Sequence, residues 1–343
     1  RSRLPSPSKT HSAGKQLAIP ATVAMLKLAP GAESVMVCKR IIMSESTVNV
    51  SRREFLGGSL LSGAAWMLGH AAFSAEPPDD LDRWILLADV HIGQDRSLES
   101  RGIKPAEKFA EARCQFLALT PRPTGLIIAG DCAHSSGLAG DYAVLSEELA
   151  PVNDANIPVY MAMGNHDNRE RFWAAFPQSR TRSAKSGLEK HALMVEGIHA
   201  DWFVLDSSVQ TGVIPGEMGG PQLAWLANEL DKRPDKPALL VAHHYPTDAK
   251  DDNGLRDFDA LWDVIRHRTR VKAYFFGHSH RWVLGQREGV HFINLPALAW
   301  LFEDQPRAWT EVVLGPDGLR LQLHCLDDTR PKNGVRHDLL WRA

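Results

Sequence analysis

The 343-residue chain has only four cysteines, Cys38, Cys114, Cys132 and Cys325, and no Cys-x-x-Cys pair. That leaves neither a disulfide framework nor an all-cysteine zinc site to organise the fold. Net charge is nearly absent: 39 basic against 41 acidic side chains, a formal −2. No overall field therefore draws in nucleic acid or acidic lipid. No uninterrupted apolar run reaches the roughly 20 residues that a membrane-spanning helix needs. What is present, 44% apolar and 23% charged residues, is ordinary globular composition with enough apolar material for a core.

The first 75 residues are expected to stand outside the fold. Residues 1–42 are rich in Ser, Pro, Ala and Lys without helical or strand period, and read as a disordered or untranslated leader, with Met43 the expected start. Residues 43–75 resemble a bacterial twin-arginine signal peptide. Ser51-Arg52-Arg53-Glu54-Phe55-Leu56 leads into a weakly apolar stretch at 57–68, and small residues at 71–75 offer a cleavage site. Charged, apolar and small-residue regions follow in the order that such a signal needs. Gly57 stands where these signals usually carry a basic residue, and an uncleaved N-terminal anchor is the alternative. The resemblance implies export to the periplasm or beyond, with the export machinery as a partner. Residues 80–343 are long enough for one domain with a substantial core.

Within 80–343, short apolar runs at 84–88, 126–129, 159–163, 202–205, 238–242, 271–276 and 291–295 predict buried strands. Helical periodicity lies between them. At 105–119 it places Phe109, Ala112, Phe116 and Leu119 on one face behind Pro105. Helices are also predicted at 222–230 and 257–266, and a hairpin at 311–326 around Gly315-Pro316-Asp317-Gly318. Alternating strands and helices predict an α/β domain whose strands are covered on both faces. Trp300, Trp309 and Trp341 are expected to pack on the core.

The polar residues fall at the strand ends. The first strand runs into Asp89-Val90-His91, the second into Gly130-Asp131, and the third into Gly164-Asn165-His166-Asp167. Later runs end in His243-His244 and in Gly277-His278-Ser279-His280. Each is unremarkable alone: Gly-Asp commonly marks a turn, and a lone histidine is commonly a satisfied core residue. Together they bring imidazoles, carboxylates and an amide to the carboxyl edge of a sheet, where α/β folds bind ligands. So many acceptors in one place call for a cation, and the mixture suits Zn, Fe or Mn better than an all-oxygen calcium site. They also outnumber the four ligands of a single structural zinc.

These five blocks, in this order over residues 84–282, resemble the signature of the calcineurin-like metallophosphoesterases. The resemblance implies an α/β fold of central β-sheets flanked by helices, with a dimetal site at the strand C-terminal ends. It implies a first metal on Asp89, His91, Asp131 and His280. A second would sit on Asp131, Asn165, one histidine of the 243/244 pair, and His278, with Asp131 bridging. Family ligands usually stand two residues before a proline, so Pro246 points to His244, with His243 the alternative. The implied reaction is phosphoester hydrolysis by a metal-bridging hydroxide attacking phosphorus in line. His166 would then contact phosphate or protonate the leaving group, and Asp167 would orient it or simply close the turn. His134 occupies the position where related purple acid phosphatases carry tyrosine, so a ferric–tyrosinate site is not expected. Whether His134 lines the pocket or caps a turn is left open.

The spacing is most similar to the class III cyclic nucleotide phosphodiesterase branch. That implies a small phosphodiester substrate and no nucleic-acid partner. A phosphomonoesterase or nucleotidase on the same site, and a non-catalytic binding protein of the same fold, are the alternatives. Selectivity is expected from loops at 92–104, 134–142, 168–200 and 207–221. The third carries Arg169, Arg171, Phe172, Trp173, Arg180, Arg182 and Lys185. It is read first as a solvated surface loop and second as a receptor for an anionic, ring-bearing substrate.

Overall fold

A computed structural model describes residues 82–247, 252–327 and 329–343. The leader and signal segments expected at 1–75 lie outside the described residues. Two six-stranded sheets form the body. The first carries β1 (Asp82–Leu87), β2 (Gly125–Ile128), β3 (Val159–Met161), β10 (Ala308–Leu314), β11 (Gly318–Cys325) and β12 (Arg336–Leu340), in the order β12-β11-β10-β1-β2-β3. The second carries β4 (Leu193–Glu196), β5 (Asp201–Val204), β6 (Ala238–Val241), β7 (Val271–Phe276), β8 (Val283–Arg287) and β9 (Val290–Asn294), in the order β4-β5-β6-β7-β9-β8. The strands β1, β2 and β3 run parallel, as do β5, β6, β7 and β9. All seven predicted strands are present.

Alternation within β1 explains the layering. Trp84 and Leu86 face a shared core with Trp202, Val204, Leu239, Val241 and Phe275 of the second sheet. Ile85 and Leu87 face the other way, because successive strand side chains point to opposite faces. There they meet α1 (Pro105–Leu117) and α2 (Ala139–Asp154). The outer face of the second sheet is covered by α5 (Gly220–Asp231) and α6 (Phe258–Ile265). The result is helices, sheet, sheet, helices, with three apolar cores. Strands buried on both faces read as continuous apolar runs for this reason. Among the described residues no helix is long and apolar enough to cross a membrane.

Two expectations need correction. The 134–142 loop ends early, because α2 begins at Ala139. Gly140 and Pro151 hide this helix in the sequence, and its buried face includes Asp141 and Glu148. Glu148 is held there by Arg96 and Arg113. The 168–200 segment is not a loop. It folds into α3 (Arg169–Ala175), α4 (Pro177–Ala184) and β4. Part of its ring and charge content is engaged internally: Phe172 is fully buried, Arg169 pairs with Asp206 at 2.7 Å, and Trp173 donates to His191 at 3.0 Å; Arg171, Arg180 and Lys185 are exposed. Of the three tail tryptophans, Trp309 stacks on His324 at 3.9 Å, Trp341 packs against the inter-sheet core, and Trp300 is buried beside the site described next.

Candidate metal centre

Strand ends from both sheets converge. The ladder between β1 and β2 continues past the strands, with the Asp89 N–H donating to the Gly130 carbonyl at 3.2 Å and His91 N–H to the Asp131 carbonyl at 3.0 Å. The second sheet does the same, the Gly277 N–H donating to the His243 carbonyl at 2.9 Å. Asp89, His91, Asp131, His278 and His280 all adopt positive φ, between 47° and 66°. Residues other than glycine avoid this region, and clusters of such strain persist where a site requires them. The backbones also approach closely. A Cβ at Gly164 would collide with the Asp131 carboxylate, and one at Gly130 would come 2.7 Å from the His243 ring.

The convergence builds two adjoining half-sites. In the first, His280 Nε2 lies 3.1 Å from Asp89 Oδ1, and His91 Nε2 lies 3.9 Å from Asp131 Oδ2 and 4.0 Å from Asp89 Oδ1. In the second, His243 Nε2 lies 3.3 Å from Asp131 Oδ2 and 3.1 Å from His278 Nδ1. Asp131 belongs to both. Asp89, His91, Asp131, Asn165, His243 and His280 are all at least 95% buried.

The hydrogen bonds determine which imidazole nitrogens bear lone pairs. A carbonyl oxygen only accepts, so the ring nitrogen facing it must donate. His91 Nδ1 faces the His134 carbonyl at 3.3 Å, His280 Nδ1 the Trp300 carbonyl at 2.7 Å, and His243 Nδ1 the Ala129 carbonyl at 2.9 Å. His278 Nε2 faces the Asn253 carbonyl at 3.0 Å. In neutral rings the remaining nitrogens point lone pairs at each other: His91 Nε2 to His280 Nε2 at 3.5 Å, and His243 Nε2 to His278 Nδ1. Facing acceptors repel unless a proton or a metal cation sits among them. An outer nitrogen tied to a carbonyl is also how ligating histidines are normally held. Asn165 Oδ1 is buried and has no hydrogen-bond partner, a costly state for an amide oxygen that a cation would relieve.

Electrostatics agree. Burial would raise Asp131, but the histidines around it, His243 foremost, hold its carboxyl well below the usual range. Burial likewise opposes a charge on His243, yet Asp131 and then Asp89 raise it to about 9. His91 is depressed to about 3, chiefly by burial, and His278 to about 4 by burial and then His243. The centre thus favours positive charge at the Asp131–His243 contact and, against burial, at His280 beside Asp89, while His91 and His278 stay neutral and able to ligate. Among the described residues four groups of His and Asp atoms are close enough to hold metal ions, one of them joining His243, His244 and His278.

The structure separates the adjacent histidines. His244 Nε2 donates to the Ile214 carbonyl at 2.8 Å and its Nδ1 accepts from Ser207 Oγ at 2.7 Å. Both nitrogens are engaged, so the geometry favours His243 over the His244 that Pro246 suggested. Parity explains it. Leu239 and Val241 face the inter-sheet core, so His243 continues toward Asp131, while His244 follows Leu240 and Ala242 on the outer face. We expect His243→Ala to lose one metal per chain and His244→Ala to keep both, as read by plasma mass spectrometry of the dialysed proteins. The reverse pattern would restore His244 as the ligand.

Asp167 does not orient His166. Its buried carboxylate accepts from the Gly164, Cys132 and Ala133 amides at 2.9, 3.2 and 3.0 Å, and from the Tyr142 hydroxyl at 3.2 Å. It ties the Asp131 loop to the Asn165 loop. His166 is oriented instead by the Ser135 carbonyl, to which Nδ1 donates at 2.7 Å, leaving Nε2 3.9 Å from Asp131 Oδ2. Its ring is partly exposed, as a group that meets substrate must be.

Sequence reasoning missed the roof of the first half-site. The Trp300 ring stacks on His91 at 3.7 Å and 16°, and meets His134 and His166 edge-on at 5.2 and 5.8 Å. The Arg101 guanidinium lies 4.5 Å over the same indole. His134 therefore lines the site, supporting His91 through its carbonyl and touching Trp300. A tryptophan more than two hundred residues from His91 leaves no local signal in the sequence.

The family model for calcineurin-like phosphoesterases matches residues 83–282. The chain belongs to this family. Metallophosphoesterases are hydrolases of phosphoric esters, and the paired His/Asp half-sites lie inside the matched span. The chain is 28% identical over 256 residues to the 3',5'-cyclic adenosine monophosphate phosphodiesterase CpdA of Haemophilus influenzae, covering 74% of this chain and 88% of that protein. It is 32% identical over 218 residues to a probable cyclic nucleotide phosphodiesterase of Rhodopseudomonas palustris, covering 61% and 76%. Among solved structures, a dimetal phosphatase from Danio rerio superposes with a TM-score of 0.61 at 15% identity, over 77% of this chain and all of that one. That is a likeness of fold.

Proposed function

We propose that this metallophosphoesterase is a two-metal phosphodiesterase whose substrates are small diesters of the cyclic-nucleotide type. Asp89, His91, Asp131 and His280 would hold one cation, and Asp131, Asn165, His243 and His278 the other. The single observation that carries the reading is the pair of facing imidazole contacts around Asp131, with every outer nitrogen tied to a carbonyl. Such a pair of cations, when bound, would supply an activated water at neutral pH and neutralise charge building on phosphoryl oxygens.

The chain's own residues do the rest. Asp131, deprotonated and buried between the half-sites, would offset the repulsion between two bound cations. The Asp131 loop is held by the His166 N–H, which donates to Asp131 Oδ1 at 2.9 Å. His166 Nδ1 is committed to Ser135, which leaves Nε2 as the atom through which a proton would reach a departing alkoxide. In-line attack by water needs no serine or cysteine nucleophile. The names of the two relatives support cyclic diesters as the class to test first. The expected outcome is metal-dependent hydrolysis of bis-p-nitrophenyl phosphate in preference to p-nitrophenyl phosphate. A clear monoester preference would retain the centre and discard the diesterase reading. Export through Arg52-Arg53 is also proposed, on the sequence of 51–75 alone. Replacing both arginines by lysine should then leave the protein in the cytoplasm on cell fractionation, and unchanged export would refute it.

A further inference from the structure

A cleft of about 700 Å³ opens on the second sheet next to the metal centre, between Tyr245, the β7–β9 edge and β8. It adjoins the centre through two residues. Ser279, which lines it, lies between His278 and His280, and the Tyr245 ring, which also lines it, stacks on His278 at 5.7 Å and 27°. Its apolar walls are largely aromatic: Tyr245, Phe258, Phe276 and Phe292. Arg281 and Arg287 are its charged lining residues, the first paired with Glu303 and the second 4.4 Å over Trp262. Among the described residues no acidic side chain lines it.

Two details point to an organic ligand. Asn294, 7% exposed, lines the cleft; its Nδ2 meets Ser279 Oγ and its Oδ1 has no partner. Buried amide oxygens are seldom left in that state. Directly across the ladder from Phe292 stands Gly285, where an added Cβ would meet nothing within 4 Å. The absent side chain leaves the Phe292 region open on its strand side. Volume, aromatic walls and a few polar groups are the usual form of a small-molecule pocket, and aromatic side chains offer flat faces on which planar rings stack.

We propose that this cleft receives the planar heteroaromatic ring of the substrate while its phosphoryl group lies at the metals. The proposal deepens, and rests on, the phosphodiesterase reading. The cleft is the specificity device: it selects nucleotide-type diesters over ring-free ones of equal charge.

Gly285→Phe places a ring in the cleft from a strand position with room for it and replaces no proposed metal ligand; Val283→Trp approaches from the exposed residue opposite Asn294. The test is calorimetric binding of adenosine 5'-monophosphate and of methyl phosphate to the full chain in manganese. Wild type should bind the nucleotide at least tenfold tighter than methyl phosphate. Either variant, with unchanged circular dichroism, should lose that preference and keep methyl phosphate affinity within twofold. Equal affinity for both probes in wild type, or a preference that survives both variants, overturns the proposal. Hydrolysis of bis-p-nitrophenyl phosphate by wild type is scored separately. No diester cleavage with the ring preference present and lost in the variants would sink the diesterase reading and leave the cleft. Cleavage with the preference absent or unmoved would sink the cleft alone.

Discussion

Replacing Asp131 by alanine is expected to abolish loading of both half-sites and to lower diester hydrolysis about a thousandfold or more, since electrostatic stabilisation and nucleophile generation are lost together. The reason is geometric. Asp131 Oδ2 is the one carboxylate oxygen within 4 Å of His91, His166 and His243 at once. Removing it leaves His243 buried without the charge that favours its protonated or ligating state. Metal content by mass spectrometry and turnover on bis-p-nitrophenyl phosphate read the two losses separately. An Asp131→Ala protein that keeps two metals would show that the bridge has been placed on the wrong residue.

The second large effect belongs to His166. His166→Ala should keep both metals and lose about 10²- to 10⁴-fold in kcat, the range typical of a positioned general acid. Its ring is the one partly exposed imidazole facing Asp131, and its Nε2 is 3.9 Å from the bridging oxygen, too far for a hydrogen bond. The loss should shrink for a diester whose leaving group needs no proton, such as a nitrophenolate, and grow for an alkoxide. The same loss on both leaving groups would argue for phosphate contact rather than proton delivery. Full activity on both would remove His166 from the reaction.

Much of this was legible before any coordinates. Apolar runs buried on both faces announce strands, and each announced strand is present. The polar blocks at their ends could be assigned to one edge because parallel strands share a carboxyl edge. What the sequence could not supply were contacts between distant segments. His243 and His244 follow the same strand; the choice rests on Ser207 and Ile214, which occupy both nitrogens of His244. The parity of Leu239, Val241 and His243 was available, but in an all-apolar strand neither face declares itself inward. Asp167 adjoins His166 in the chain, yet its carboxylate turns away to bind amides on another loop. The α2 helix was obscured by Pro151 and by buried Asp141 and Glu148, whose polar character masks the periodicity. Trp300 gave no hint of its place on His91, because stacking partners from opposite ends of a domain have no spacing to read.

The central claim is that two cations act together around Asp131. The direct test is a titration of metal-stripped full-length protein with manganese, following diester hydrolysis against bound metal. The account predicts little activity up to one equivalent and a steep rise as the second binds. Full activity at one equivalent, or none at two with the protein folded, would contradict it.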